Sequence, residues 1–399
     1  MAQFPEPAFR PAREDDLDRL VEIHLAAYPD ARGADARRRN FTANPFGSFD
    51  DLFVAEVDGE VVGHAFLFPM EGWFGGRRVK IGGIASVAVA PEARGRGIAR
   101  ALVRGLHEVS DVRGDAITML YAFRQGFYAS LGYAPVSSRK RLSFDPAAVP
   151  EPWRQLARTR VRRGRGDDRA RIVHLHERAG ERASGWTVRT EALWDRIFAR
   201  ERRQLLVCED GYVAFAFEQE EAHAPTIAVV EELAAATDDA RRVLFGALGA
   251  LRDQVSEVVI EVDANDPIEH ALLDADRRRF GTDAVEHALG EIVAGPMVRI
   301  EDVHRAIEAR GYAADGSFDV VVADEIAMSV RVDGGRAEVG AARGTSALRA
   351  GRASLAAVFY GGLRPSDAAR LGLVDADERT LARIDAIVAM PAVAPIDAF

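Results

Sequence analysis

The stretch that decides the fold is Val87–Leu102, which reads VAVAPEARGRGIARAL. Its first half has the pattern of a strand that ends at a proline, and its last residues follow the pattern of an apolar helix. Between the two lie Gly95 and Gly97, where the missing side chains let the backbone turn tightly and approach a ligand. The unpaired amides and the dipole at the start of such a helix attract anions. The stretch therefore predicts a pyrophosphate-binding loop, to which Arg94 and Arg96 add positive charge.

Two other phosphate-binding motifs do not fit this loop. A Walker loop needs Gly-Lys-Ser/Thr, and the dinucleotide fingerprint needs three glycines after the first strand. The stretch instead resembles the acyl-coenzyme-A-binding motif of the GNAT acetyltransferase superfamily. That resemblance implies acetyl-CoA as the cosubstrate. It also implies that the following residues bind it: Val87, Ala88, Val89, Arg94, Gly95, Arg96, Gly97, Ile98 and Ala99.

The segments around the loop predict a mixed α/β domain over residues 1–150. The dipeptide Asp58-Gly59 separates two strand patterns and is a strong hairpin signal. The glycines Gly82 and Gly83 predict a bulge inside a long strand. The predicted strands are Leu52–Val57, Val61–Met70, Val79–Ala90 and Ala116–Ala122, and the predicted helices are Gly97–Val112 and Gln125–Leu131.

Length and composition bound the remaining possibilities. At roughly 100–200 residues per domain, 399 residues predict two or three domains. The net charge of −10 argues against non-specific nucleic-acid binding, which needs a basic face. A single cysteine, Cys208, closes no intrachain disulfide, and the histidines lack metal-ligand spacing, so we expect no metal and a reducing cytoplasm. The acidic start and the lack of about 18 continuous apolar residues predict neither a signal peptide nor a membrane span.

The middle of the chain repeats the strand and helix order of the first domain, which suggests a duplicated fold over residues 151–285. No Gly-x-Gly follows its strand Thr226–Val230. Its acidic residues there would repel a pyrophosphate, so we expect this copy to bind no coenzyme A. The basic stretch Arg158–Arg171 is interpreted as a solvated surface loop. The acidic residues that follow the strand Thr226–Val230 are Glu231, Glu232, Asp238 and Asp239.

The chain as a whole resembles the Eis family of GNAT acetyltransferases. The resemblance rests on Ser354–Leu363, which reads SLAAVFYGGL, on Ala368–Gly372, which reads AARLG, and on the aromatic last residue. It implies two tandem GNAT folds, the second degenerate, and a sterol-carrier-protein-like α+β domain over residues 286–399. It also implies a homo-hexamer that acetylates amines of small cationic acceptors, including aminoglycosides.

The same resemblance assigns two catalytic groups. Gly126–Tyr133 reads GFYASLGY and matches the superfamily pattern F-Y-x-x-x-G-Y/F, so Tyr128 would protonate the coenzyme A thiolate. In the Eis family the carboxylate of the last residue is the general base, a role that falls to Phe399 here. The apolar tail supports this, because Pro391 and Pro395 favour an extended chain and an aromatic end favours burial. The ordinary α-carboxylate pKa of about 3.3–3.7 is low for a base unless burial raises it.

Several alternatives stay open at this stage. Tyr128 could be a packing residue, and the tail could lie on the surface. The enzyme could acetylate protein lysines or N-termini, or the chain could be a non-catalytic assembly that binds lipid or a partner. Four smaller interpretations concern single sites. We place Trp73-Phe74 in a loop that lines the acceptor pocket or packs, His174 and His176 at the surface, His24 at the core edge, and Asp30 and Asp35 in a loop that is solvated or attracts an amine.

Overall fold

The structure is a computed structural model, and its strands form two seven-stranded sheets and one five-stranded sheet. Asp30, Pro395 and the predicted boundary at residues 285–286 lie outside the residues that it describes. Those residues are 6–28, 33–136, 138–219, 221, 224–276, 288–323, 326–344, 347–391, 393–394 and 397–399.

The first sheet is built mainly from the N-terminal third of the chain. Its strands follow the order β1-β2-β3-β4-β5-β14-β6, and β4 and β5 run parallel. The apolar face of the helix after β4 packs on the sheet through Leu102, Val103 and Leu106, which are buried. The elements of this part are β1 (Ala8–Pro11), α1 (Leu17–Ala27), α2 (Gly33–Thr42), β2 (Leu52–Val57), β3 (Glu60–Phe74), β4 (Arg77–Val89), α3 (Ile98–Arg113), β5 (Ile117–Leu120), α4 (Gln125–Ala129) and β6 (Ala134–Pro135).

The second sheet has the order β13-β7-β12-β11-β10-β9-β8, which repeats the arrangement of the first. Its single parallel pair, β11 with β12, occupies the place that β4 and β5 have in the first sheet. The elements are β7 (Ser138–Phe144), α5 (Glu151–Arg160), β8 (Arg162–Arg163), α6 (Arg169–Gly180), α7 (Glu191–Phe198), β9 (Gln204–Cys208), β10 (Gly211–Glu218), β11 (Ile227–Ala235), α8 (Asp238–Gly249), β12 (Glu257–Asp263) and β13 (Gly290–Ala294).

The first two sheets exchange strands. β7 follows β6 along the chain, yet it pairs with β12 and β13 in the second sheet. The strand β14 (Met297–Ile300) follows β13, yet it returns to the first sheet, between β5 and β6. Sheet membership thus changes between β6 and β7 and again between β13 and β14, whereas the predicted segments divide at residues 150 and 285. The first sheet is completed by β14, which follows the strands of the second sheet in the chain, and the second sheet is completed by β7, which follows the strands of the first.

The third sheet is small and mostly antiparallel, in the order β17-β16-β15-β18-β19. Its interior contains a wholly buried Arg310, whose guanidinium donates to the carbonyls of Gly311, Phe359 and Val388 at 2.7–2.8 Å. None of the described helices is both long and apolar enough to cross a membrane. The elements are α9 (Val303–Ala309), β15 (Gly316–Val322), β16 (Ile326–Asp333), β17 (Arg336–Ala341), β18 (Ala347–Ala350), α10 (Arg352–Gly361), α11 (Pro365–Arg370), β19 (Val374–Asp375) and α12 (Glu378–Val388).

Some local predictions are wrong. The stretch Arg158–Arg171 is not a surface loop: it ends α5, forms β8 and begins α6, because Asp168 pairs with Arg162 and caps the turn. Trp73-Phe74 belongs to β3, where both side chains are buried, and not to a loop.

Two further residues are also placed differently from the interpretations above. His176 is buried, and Asp35 lies in the first turn of α2. His24, expected at the core edge, is 3% exposed. Packing partners that are remote in sequence decide the position of His176. Helix formation after residue 33 decides the position of Asp35.

Candidate active site

The site begins where β4 and β5 separate. The two strands pair from Ile81–Ile117 to Gly83–Met119 and then diverge. Just beyond, β4 bulges against β3, because Ala85 and Ala88 oppose positions on β3 that are two residues apart. Ser86, inside the bulge, has φ +53°, a left-handed conformation that is costly for a residue with a side chain. The bulge turns the backbone toward the opening between the strands.

The predicted bulge at Gly82 and Gly83 is therefore misplaced. Both glycines pair regularly with β3. Their missing side chains serve close packing instead, since a Cβ on Gly82 would lie 2.8–2.9 Å from three neighbouring side chains. A Cβ on Gly83 would collide with the sulfur of Met70 and lie 3.2 Å from the ring of Phe399.

At the end of β4 the loop has the geometry of an anion site. Gly95 and Gly97 have φ +76° and +83°, and no atom lies within 4 Å of where a Cβ would stand on either residue. Gly97 is the N-cap of α3, and no side chain caps that helix. The first amides of α3 are therefore available to a ligand in open space, and the loop fits a pyrophosphate.

The residues around this loop that are predicted to bind the cosubstrate differ in their exposure to solvent. Ala88 and Ile98 are buried, Val89 and Ala99 are half-buried, and Arg96 is exposed. Arg94 lies against the protein, where its guanidinium donates to the carbonyls of Val89 at 3.3 Å and Ala26 at 3.1 Å.

A cavity of about 510 Å³ occupies the opening between β4 and β5. It brings together Val87 of the bulge, Tyr128 of α4 and the C-terminal Phe399, three of the predicted site residues. Tyr28 donates a hydrogen bond from its hydroxyl to the carbonyl of Val87 at 3.0 Å. The cavity is lined by His24, Tyr28, Arg37, Ile84, Ala85, Ser86, Val87, Leu120, Tyr121, Phe123, Tyr128 and Phe399.

Tyr128 is held in a cluster of aromatic rings. Its ring packs edge-on against Phe127, Phe123 and Tyr133 at centroid distances of 4.9–6.2 Å. Burial, helped by the nearby Tyr28, raises the pKa of the Tyr128 hydroxyl above its ordinary value of 10. The group therefore holds its proton at neutral pH, as an acid that donates to a leaving group must.

The C-terminus reaches the same cavity. The ring of Phe399 is half-buried and lies edge-on to Tyr121 at 5.7 Å and to Phe46 at 6.0 Å. The backbone of Gly83 forms the floor under the ring. The last residue is thus packed between the first sheet and the loop before β2, and it does not lie on the outer surface.

Comparisons with known proteins cover the chain from end to end. Residues 8–136 and 185–300 each match an acetyltransferase (GNAT) domain family, and residues 303–396 match the sterol carrier protein domain. A GCN5-related N-acetyltransferase from Kribbella flavida superposes with a TM-score of 0.81 at 27% identity, over 99% of each chain. The glucosamine 6-phosphate N-acetyltransferase of Trypanosoma brucei brucei is 30% identical over 36% of this chain and 99% of its own. The N-acetyltransferase Eis of Mycobacterium tuberculosis is 29% identical over 94% of this chain and 95% of its own.

This chain belongs to the Eis family of GNAT acetyltransferases. It is an N-acetyltransferase, and the family to which it belongs uses acetyl-CoA. The predicted fold, two tandem GNAT domains followed by a sterol-carrier-like domain, is confirmed. Within the described ranges of this Eis-family protein, no three histidine, cysteine or acidic side chains group to hold a metal ion.

The second GNAT domain of this Eis-family protein keeps the shape of the site but not its chemistry. β11 and β12 also separate after three paired residues, and Glu231 bulges from β11 opposite β10. The following helix is capped, however, because the Thr237 hydroxyl accepts from the amide of Ala240 at 3.1 Å. An acidic strand end and an occupied helix start do not fit a pyrophosphate.

A buried polar cluster next to the site matches no sequence motif. Arg189 binds the carboxylates of Asp397 and Glu232, and its side chain is 2% exposed. His176 and Tyr212 also hydrogen-bond Glu232. Asp397, in the tail, was the one available signal, because an acidic residue in an otherwise apolar terminus needs a partner when it is buried.

Proposed function

We propose that this protein transfers the acetyl group of acetyl-CoA to a primary amine of a small cationic acceptor, by direct attack of the amine on the thioester. The observation that carries the proposal is the meeting of three groups in one cavity. The bulged strand β4, Tyr128 and the C-terminal residue Phe399 all line it. They supply a surface for the thioester, an acid and a base.

The cosubstrate fits the residues present. Acetyl-CoA, when bound, supplies an acetyl group on a thiol that leaves readily. The open loop at Gly95 and Gly97 and the uncapped amides of α3 would hold its pyrophosphate. The bulged backbone at Ser86 and Val87 would lie along the opening between the strands. Arg96 would add charge from the solvent side.

Proton transfer is assigned to two groups of this chain. An amine is mostly protonated at pH 7, so the α-carboxylate of Phe399 accepts its proton, directly or through water. The Tyr128 hydroxyl, whose pKa is raised by burial, keeps its proton until the departing sulfur takes it. Residues 121–128 and 399 come from distant parts of the chain, so this mechanism requires the C-terminal residue as well as the first domain.

Aminoglycosides and polyamines are the acceptors to test first. No Asp or Glu side chain is among the described residues lining the cavity, where Arg37 is the basic residue. The terminal carboxylate then meets the reacting ammonium group, and further positive charges of a polycation would lie outside the cavity. The hexamer remains an expectation from the family resemblance, and the cytoplasmic location remains one from the single cysteine.

A C-terminal extension tests this proposal. Adding two glycines after Phe399 converts the α-carboxylate into an amide and moves the charge away. We expect coenzyme A release with each amine of the panel to fall by about 10² or more, while acetyl-CoA binding by calorimetry stays unchanged. The matched control carries the same two glycines at the N-terminus. Full activity in the C-terminally extended protein would show that the carboxylate is not the base.

One observation argues against the non-catalytic lipid-binding alternative. The interior of the third sheet is filled by a charged guanidinium and aromatic rings: Arg310 lies 4.7 Å from the ring of Tyr312 and 5.9 Å from that of Phe359. Burial lowers the pKa of Arg310, which is held by three backbone carbonyls. An aliphatic chain at this place would have to displace a buried ion that is hydrogen-bonded to three carbonyls. Absence of lipid in organic extracts of the purified protein is the expected result.

A further inference from the structure

The C-terminal tail is attached to the second GNAT domain before it reaches the catalytic cavity of the first. Val393 is wholly buried and pairs with Ser184, and the amide of Ala394 donates to the Ser184 carbonyl at 3.0 Å. On its other side, the segment that contains Ser184 pairs with the end of β3 through Gly72 and Thr187. This segment therefore lies between the tail and the first sheet.

The tail is then bound a second time, through charge. The guanidinium of Arg189 donates to the two carboxylate oxygens of Asp397 at 2.9 Å and 3.0 Å. It also donates to both oxygens of Glu232, at 2.8 Å and 3.2 Å. The ring of Trp194 lies against it, with its centroid 4.6 Å from the guanidinium carbon. The side chains of all three ionic residues are at most 9% exposed.

Glu232 compensates the burial of the arginine. Burial opposes the charge on Glu232, but Arg189 and the hydrogen bond to His176 outweigh it, so the carboxyl pKa lies well below its ordinary value. Glu232 follows the bulge of β11 directly, in the position where the first domain uses its own bulge beside the cosubstrate cavity. The bulged strand of the degenerate domain thus holds the residue that binds the tail.

The anchor is close enough to fix the end of the chain. Asp397 and Phe399 are two residues apart, a span of at most about 7 Å when fully extended. Between the two lies only Ala398, which is exposed. The Tyr121 hydroxyl, which also lines the cavity, donates to the carbonyl of Asp397 at 3.4 Å. The Phe399 ring is packed on the Gly83 backbone. With both ends of this short span held, the terminal carboxylate has little freedom.

We propose that Arg189, whose charge is balanced by Glu232, is a positioning residue. It holds the Phe399 carboxylate in the catalytic cavity by binding Asp397. This inference rests on the proposed function, in which that carboxylate is the base. It assigns the second GNAT domain a role in catalysis without cosubstrate binding: it fixes the general base of the first. Errors of about 1 Å in the position of a catalytic group cost about 10²-fold in rate, so the anchor acts on kcat.

Asp397→Asn and Arg189→Gln test the proposal, each in the full-length protein. We expect kcat near pH 7 to fall by about 10²-fold, with KM for acetyl-CoA within about two-fold of wild type. The deficit should shrink as the pH rises toward the pKa of the acceptor amine, because a neutral amine needs no base. Arg189→Lys, which keeps the charge but not the two-pronged contact, should recover part of kcat.

A second measurement reports on the tail without using activity. A carboxypeptidase that prefers aromatic ends should release Phe399 faster from Asp397→Asn than from wild type, as followed by mass spectrometry. Arg203→Gln is the matched control, since the Arg203 guanidinium lies 3.5 Å from the Glu232 carboxylate and is 11% exposed, whereas the described ion pair of Asp397 is with Arg189. Its kcat and its rate of Phe399 release should equal those of wild type.

The outcomes separate the inference from the proposed function. Suppose that the diglycine extension is inactive, while Asp397→Asn and Arg189→Gln retain the wild-type kcat and release Phe399 as slowly as wild type. The proposed anchor is then wrong, and the assignment of the base stands. If the extended protein is fully active, the base assignment fails and the anchor role fails with it. If Arg189→Gln does not fold, because Glu232 is left unpaired, Asp397→Asn alone decides the question. A loss of kcat that is the same at every pH would also overturn the positioning role.

Discussion

At the scale of single residues, Tyr128 shows how burial keeps a hydroxyl protonated. The residue lines the cavity and is 3% exposed, and burial raises the pKa of its hydroxyl. We predict that Tyr128→Phe lowers kcat by about 10² or more and leaves the affinity for acetyl-CoA unchanged. Because the wild-type pKa lies above 10, activity should not decline through tyrosine ionisation at or below pH 9. Stopped-flow kinetics measures the change in kcat, and calorimetry measures the affinity for acetyl-CoA. An unchanged kcat would remove Tyr128 from the mechanism.

His64, behind the cavity, carries a prediction about stability. The ring is wholly buried, stacks on His24 at 5.5 Å and meets Phe41 edge-on at 5.2 Å. Burial, followed by the charges of His24 and Arg37, lowers its pKa from 6.5 to about 3. The folded state therefore keeps His64 neutral while the unfolded chain takes up a proton below pH 6.5. Stability is lost as the pH falls from 6.5 toward 3.

The size of this effect is about 2 kcal/mol between pH 7 and pH 5. We predict that His64→Leu reduces the difference in unfolding free energy between these two pH values by about that amount. His304→Leu, at an exposed position, should leave the wild-type difference unchanged. Chemical denaturation at both pH values measures it. Equal pH dependence in wild type and His64→Leu would mean that His64 is protonated in the folded protein.

Single residues also show where sequence reasoning succeeds and where it stops. Tyr128 was found because its motif is local, and the structure places it in the cavity with Phe399. Arg189 is not predictable from the sequence, because its role depends on contacts with Glu232 and Asp397, which lie 43 and 208 positions away in the chain. Gly83 was noticed but misinterpreted, since its neighbour is the last residue of the chain. Their functions depend on contacts that no spacing rule contains.

At the scale of elements, helix α3 allows a matched comparison. Gly97 caps its start with φ +83° and Gly114 caps its end with φ +82°, and both positions face open space. Replacing either by alanine costs roughly 1–2 kcal/mol through the left-handed backbone. We predict that Gly97→Ala and Gly114→Ala lower the melting temperature equally. Only Gly97→Ala should raise KM for acetyl-CoA, by about ten-fold through lost pyrophosphate contacts. An equal KM for the two variants would show that the loop does not bind the cosubstrate.

Elements with strong local signals were predicted closely. β2 has the predicted bounds, and each end of α3 lies one residue from its predicted position. The sequence of residues 346–360 predicts one helix, but Ala347–Ala350 forms a strand beside β15 before α10 begins. Residue 346 lies outside the described ranges. Tertiary pairing overrides helix propensity in this segment.

At the scale of the whole molecule, the strand exchange is the feature that the sequence did not reveal. The repeat of strand and helix order suggested two separate domains, and the duplication is present. Yet β7 lies in the second sheet and β14 lies in the first. A short strand has the same sequence pattern in either sheet, so the exchange is not visible in the sequence. The exchange and the tail contacts make the three units interdependent. The cavity at the candidate site accordingly combines residues from positions 24 to 399.

The exchange predicts which fragments fold. A chain of residues 1–150 lacks β14, whose Met297, Val298 and Ile300 are wholly buried, so it would expose apolar surface and the edge of β5. A chain of residues 1–302 completes both GNAT sheets. We predict that the short fragment is insoluble or melts without cooperativity, whereas the long one melts cooperatively and is stabilised by acetyl-CoA.

The longer fragment should nevertheless be inactive, because it lacks Phe399 and Asp397 along with the third sheet. Thermal unfolding with and without acetyl-CoA, followed by an assay for coenzyme A release, tests both statements on the same samples. Cooperative, cosubstrate-dependent melting of residues 1–150 would show that the first sheet does not need β14. Turnover by residues 1–302 would show that the base comes from somewhere other than the tail. Binding without turnover is the result that follows from a cosubstrate site built by one domain and a base delivered by the end of the chain.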